Sequence, residues 1–181
     1  MKKLFLIILC ASLFVGCKKE TAAEPAVKDQ VATEGVAPVE FADAKYTEIG
    51  KKSLEALSKG DMEAWMSNYA DNAKYYWNDG DSLIGKPAID KFWRDRRTNT
   101  IETIFFEKDI WLPIKVNEKG HIPMDGYWLL SWYKTTAKYK GGKSMTQWIH
   151  TTYHFDAKDK IDMVNQYLDK SVIMAALPQK K

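Results

Sequence analysis

Cysteine is nearly missing from this chain. The 181 residues hold two, Cys10 and Cys17, so everything after position 17 lacks a thiol. That excludes a disulfide, a thiolate metal site and a cysteine nucleophile from the rest of the protein. Histidine is scarce too, with three residues. His150 and His154 sit four apart in a segment that reads as strand. There they share a face but lie about 13 Å apart, at roughly 3.3 Å per residue, too far for one ion. His121 is expected in a loop, so no metal and no cofactor are expected. A surplus of one charge is also absent: 27 basic residues face 24 acidic ones. Without a basic footprint, nucleic acid is excluded as a partner. No Ser elbow is present. Gly141-Gly142-Lys143-Ser144 imitates the tail of a phosphate loop, but the first glycine of that motif would fall at Ala137. The segment also joins two expected strands, with no helix N-terminus to hold phosphate.

Long apolar runs are missing as well. The longest, residues 4–15, follows Lys2 and Lys3 and spans 12 residues, short of the roughly 20 that cross a bilayer as a helix. It matches the hydrophobic part of a secretion signal. Its end, Gly16-Cys17, resembles the lipobox of bacterial lipoproteins, with Leu13 one place early and Phe14 in its slot; an ordinary signal cleaved nearby is the alternative. The resemblance implies a lipoprotein signal over 1–16 and lipidation of Cys17. It further implies a membrane-lipid partner and a place in the bacterial cell envelope, facing the periplasm or the cell surface. Residues 17–43 read as the lipidated cysteine and a flexible tether, rich in Ala, Glu, Val and Pro.

Residues 44–176 are long enough for one core, with 177–181 expected as a disordered tail. Tyr46, Ile49, Leu54 and Leu57 recur at helical spacing, closed by Gly60 as a left-handed cap. Asp61 suits the N-cap of a second helix bearing Met62, Trp65, Met66 and Tyr69. A strand over 73–77 and a short return over 82–84 flank the turn at 78–81. Pro87 opens a third helix with Ile89, Phe92, Trp93 and Arg96 on one side. Strands are expected over 104–116, interrupted by Pro113, and over 126–140, 144–155 and 161–169. Helices first and a meander of strands after them make an α+β domain.

Three stretches, LSKGDMEAWMSNYADNAKYYW, IGKPAIDKFW and YHFDAKDKIDMVNQYLD, together resemble the SnoaL-like branch of the nuclear transport factor 2-like superfamily. The resemblance implies a cone-shaped fold: three N-terminal helices packed on a strongly curved antiparallel sheet, with a pocket at the wide end. It also implies a possible homodimer through the outer sheet face, where Trp148, His150, Thr152 and His154 would lie. The proton-handling positions of ketosteroid-isomerase-like relatives correspond to Trp77, Ser53 and Thr151. None of these side chains can do that acid–base work, so steroid-type isomerisation is not expected.

Instead, Tyr75 and Trp77 are expected to face the interior and Tyr76 to face away. The expected ligand-binding set is Trp65, Tyr75, Trp77, Phe92, Trp93, Arg96, Thr151, Tyr167 and Asp169, around a small apolar or aromatic ligand. Whether these rings line a pocket or fill a solid core stays open at this stage. So does an enzymatic alternative, a hydrolase, cyclase or dehydratase using Asp169 as acid or base.

Overall fold

The computed structural model describes residues 37–117 and 125–178. The expectations for the signal, for Cys17, for most of the tether, for His121 and for residues 179–181 lie outside the described residues.

Helix α1, Lys45–Lys59, ends where Gly60 takes φ +78 and its N–H reaches back to the carbonyls of Ala56 and Leu57. A side chain is disfavoured in that left-handed conformation, so glycine closes the helix. Asp61 then caps α2, Met62–Met66, accepting from Ala64 N at 3.0 Å. Tyr69 belongs to strand β2, Tyr69–Trp77, not to the helix expected to carry it. The turn leads to β3, Ser82–Ile84, and α3, Lys86–Asp95, with proline in its first turn. A π-helical turn, Arg96–Thr100, delivers the chain to β4, Ile101–Val116. Strands β5 (Gly126–Tyr139), β6 (Ser144–Phe155) and β7 (Ile161–Tyr167) follow. A fourth helix, α4, Lys170–Ala176, completes the domain.

Two expected strand features move. Pro113 does not interrupt β4; it pairs with Leu129 in register. The break comes earlier, between Glu107 and Ile110, where Lys108 takes φ +55. This bulge bends the strand and keeps Ile110, Leu112 and Ile114 on the same face as Phe105 and Glu107. The tether also ends sooner than expected. Val39–Phe41 form strand β1, paired with β4 from Val39↔Val116 to Phe41↔Ile114. Phe41 is 82% exposed, so backbone hydrogen bonds hold β1, not burial. Composition does not report such a strand.

The sheet order is β1-β4-β5-β6-β7-β2-β3. It is not wholly antiparallel, because β2 runs parallel to β7. β2 leaves the chain before the meander begins and enters the sheet beside its last strand, so no hairpin dictates its direction. Helices α1–α3 cover the inner face. Their core includes Tyr46, Leu57, Trp65, Tyr69, Tyr75, Ile89, Leu129, Tyr153 and Val164, all buried. A second cluster, Ile101, Ile104, Ala137, Tyr139, Met145 and Ala176, seats α4 on the β5–β6 end. Lys143 N donates to Ala176 O there at 2.8 Å. Among the described residues no helix is long and apolar enough to cross a membrane.

Candidate functional site

Six aromatic residues form one connected cluster running from the core to the mouth of the cone. Tyr69 meets Trp65 (ring centroids 4.9 Å), Trp65 meets Trp93 (5.6 Å), and Trp93 meets Phe92 edge-on (5.6 Å). Phe92 then meets Trp77 at 5.3 Å, and Trp77 lies 4.7 Å from Tyr75. Alternation along β2 produces this arrangement. Ala73 and Tyr75 are buried, Trp77 is half-buried at the rim, and Tyr76 pairs beside Asn165 on the other face. Helix α3 brings Phe92 and Trp93 against the same edge.

The choice between solid core and pocket resolves by depth. Deep in the cone the side chains mesh, leaving about 50 Å³ among Tyr75, Trp93, Arg96, Tyr133, Thr135, Tyr139, Gln166 and neighbours. At the mouth a cavity of about 250 Å³ remains. Trp77, Phe92 and Trp93 wall one side, and Leu168, Ile173, Met174 and Leu177 wall the other. Arg96, Gln166, Asp81 and Lys170 complete it. Trp93, Arg96, Gln166, Leu168 and Ile173 touch both spaces, so they form the partition between them, with Arg96 and Gln166 as its polar floor. A wider depression of about 590 Å³ between α2 and α3 is an open groove edged by Glu63, Asp71, Lys86, Asp90 and Arg94. Met66 and Pro87 are its apolar lining residues.

A buried polar chain fixes the wall. Trp77 Nε1 donates to Gln166 Oε1 (3.1 Å) and Gln166 Nε2 donates to Thr151 Oγ1 (3.4 Å). Thr151 Oγ1 also bonds the Tyr133 hydroxyl at 2.7 Å. The chain crosses β2, β7, β6 and β5 in spatial order, so it holds the indole in one rotation and ties four strands together. Thr151 is therefore a buried linker, absent from the lining of both cavities, and does not meet a ligand as expected. Trp65 is likewise corrected: it is 3% exposed and packs wholly between Tyr69 and Trp93.

Tyr167 and Asp169 also leave the set. Gln166 points inward, so its neighbour Tyr167 points outward and stacks on His150 at 5.7 Å, itself stacked on Trp132 at 4.5 Å. Asp169 caps α4: its Oδ1 accepts from Ser171 N (2.8 Å) and Ser171 Oγ (2.6 Å). The Ser171 hydroxyl and then backbone N–H groups hold this carboxyl below its ordinary range. A general base near neutral pH needs the opposite shift, and Asp169 lies off the cavity lining. Asp169 is thus engaged as a helix cap outside the cavity, in surroundings opposite to those the expected acid–base role needs.

Helix α4 supplies what the sequence reading missed. Val172, Ile173, Ala176 and Leu177 recur at i, i+1, i+4 and i+5 behind an Asp cap, a helix signal. Gln166 left a signal as well: a polar residue two places after Val164 on the inward register of β7. Lys170 opens α4 and lies over Trp77, 5.3 Å from the ring centroid. It bonds Asp79 and Asp81, the latter at 2.5 Å. Burial alone would lower the Lys170 ammonium, but these two carboxylates outweigh it and raise it above its ordinary range.

No family model matches this chain, and no curated protein matches it in sequence. Solved structures do. An NTF2-like protein from Burkholderia pseudomallei superposes at TM-score 0.58 with 14% identity, over 76% of this chain and 100% of its own. An LEH-like epoxide hydrolase from M. tuberculosis gives 0.53 at 14%, over 72% and 87%. A candidate SnoaL-like polyketide cyclase from Shewanella denitrificans gives 0.51 at 15%, over 74% and 97%. At such identities the likeness speaks to fold, and fold alone does not carry function. The described domain shares the α+β fold of these SnoaL-like and NTF2-like structures, a curved sheet closed by helices.

Proposed function

We propose that this domain binds a small, flat, mainly apolar molecule at the mouth of its cone, and that acyl chains on Cys17 hold it to a bacterial envelope membrane. The observation that carries the ligand reading is the cavity of about 250 Å³ between the Trp77–Phe92–Trp93 wall and the apolar side of α4. Concave apolar sites with a few fixed polar groups are the usual form of small-molecule pockets, which run from about 300 Å³ upward. This volume suits one or two rings. The reading is one of binding, not turnover. Asp81 is the only carboxylate among the described lining residues, and Lys170 neutralises it.

The test is intrinsic tryptophan fluorescence of the full-length protein titrated with one- and two-ring aromatic probes. A saturable change is expected, and Trp77→Ala should weaken it about tenfold through lost stacking and burial. No saturable change with any probe would leave the reading without support.

A second reading concerns the outer sheet face. Register places Ile110, Leu112 and Ile114 beside Trp132, Leu130 and Trp128, and these beside His150, Thr152 and His154. Ile110, Trp148 and Tyr167 remain 57%, 52% and 53% exposed. So broad an apolar patch marks an interaction surface, and we propose a second copy of the chain as its occupant. Sedimentation should show a dimer that Ile110→Glu dissociates; a monomer at high concentration would remove the proposal.

A further inference from the structure

The mouth cavity has one charge that an apolar guest would leave unused. Arg94 pairs with Asp90 at 2.8 Å, and Arg97 donates to the carbonyls of Ser58 (3.2 Å) and Ile101 (3.3 Å). Arg96, half-buried on the floor of the cavity, makes no ion pair among the described residues. Its guanidinium stacks over Phe92, 5.5 Å from the ring centroid. It also lies beside the Tyr139 hydroxyl: burial pushes that phenol up, and the nearby Arg96 charge pulls it partly back. A guanidinium in a ring-lined, partly enclosed site, with no carboxylate to answer it, is an incomplete pair.

The other cation of the site differs. Lys170 is matched by Asp79 and Asp81. Its ammonium over Trp77 and the guanidinium over Phe92 already occupy two of the aromatic faces that attract positive charge. An arriving cation would therefore meet like charge, and the aromatic wall does not serve as a cage for ammonium groups. Trp93, which lines the cavity with part of its ring, keeps its Nε1–H sealed in the packing and adds no donor to the site. The unmatched group of the site is thus a positive charge, set among apolar walls.

We infer that the cavity takes a small amphiphilic carboxylate, its anionic end on Arg96 and its flat apolar body between Trp77, Phe92, Ile173, Met174 and Leu177. This inference rests on the ligand reading above and names the chemical class of the ligand. Arg suits the role because its planar fork meets both carboxylate oxygens.

The experiment is calorimetric or fluorescence titration of the full-length protein with 3-phenylpropionate, its primary amide and benzyltrimethylammonium. The carboxylate should bind about tenfold or more tightly than the amide, as a charge-assisted hydrogen bond in a partly enclosed site implies. Arg96→Gln should abolish that preference, and Arg96→Lys should restore part of it, which separates loss of charge from loss of fold. Equal affinity for acid and amide would overturn the anionic assignment and leave the pocket reading standing. No binding of any of the three would overturn both. Tighter binding of the ammonium probe would reverse the charge argument, and a preference that survives Arg96→Gln would remove Arg96 from the role.

Discussion

Raising the pH beyond about 10, the ordinary tyrosine value, is expected to unfold the domain in one cooperative step. Tyr69, Tyr75, Tyr133 and Tyr153 are each at most 5% exposed. Burial raises all four phenols, most strongly Tyr69, Tyr75 and Tyr153. A phenol is neutral while protonated, so the sealed interior favours the protonated form. Stability is therefore full below the unfolded tyrosine pKa, and it is lost as pH climbs from there toward the folded-state values. Each raised group removes up to about 1.4 kcal/mol per pH unit in that window. Four together remove up to about 5.5 kcal/mol per unit, comparable to the whole stability of a small domain. Tyrosinate absorbance and far-ultraviolet circular dichroism should then change together over about one pH unit. If all nine tyrosines ionised gradually near the ordinary value with the dichroism intact, the rings would not be sealed, and the packed inner cone would be wrong.

Gly50→Val should be the most damaging single substitution of an interior glycine. Gly50 lies mid-way along α1, where glycine is ordinarily a poor choice by about 1 kcal/mol against alanine. A Cβ there would come within 2.6 Å of Leu129 Cδ2 and of Trp111 Cζ3. Leu129 is fully buried in β5 and has no free space to withdraw. The half-buried indole of Trp111 borders an open depression of about 290 Å³ and can shift only at the expense of its contact with the core. Overpacking of this kind costs about 1–3 kcal/mol, with the branched side chain at the upper end. For a domain of this size about 3 kcal/mol lowers the melting temperature by roughly 10 °C. Gly50→Ala is the informative companion, because its helix-propensity gain opposes the clash; a net loss of about 1 kcal/mol is expected in urea denaturation. Wild-type stability for the valine variant would mean that α1 does not lie this close to the sheet.

The same two regions explain which parts of the molecule could be read in advance. Apolar spacing marked α1 and α3, Gly60 and Asp61 marked the boundary between α1 and α2, and Gly141-Gly142 marked the hairpin. Those signals are local: a cap or a periodic face acts within one or two turns. Four of the expected ligand contacts, Trp77, Phe92, Trp93 and Arg96, line the mouth cavity, and Tyr75 lines the inner space. Strand alternation and helical spacing were enough to place them. Four others failed because their fate depends on distant partners. Trp65 is enclosed by rings from β2 and α3, Thr151 is claimed by Tyr133 and Gln166, Tyr167 is turned outward by the register of β7, and Asp169 is taken by α4.

Sequence by itself determined the helical faces, the caps and the ring-rich edge of β2 and α3. Only the tertiary structure decided that β2 runs parallel to β7, that exposed β1 joins the sheet through its backbone, and that α4 completes the cavity with Arg96 left uncompensated on its floor. The physical reason is range. Periodicity and capping act between neighbours along the chain, whereas strand direction, cavity volume and the pairing of a charge depend on residues far apart in sequence that packing alone brings together.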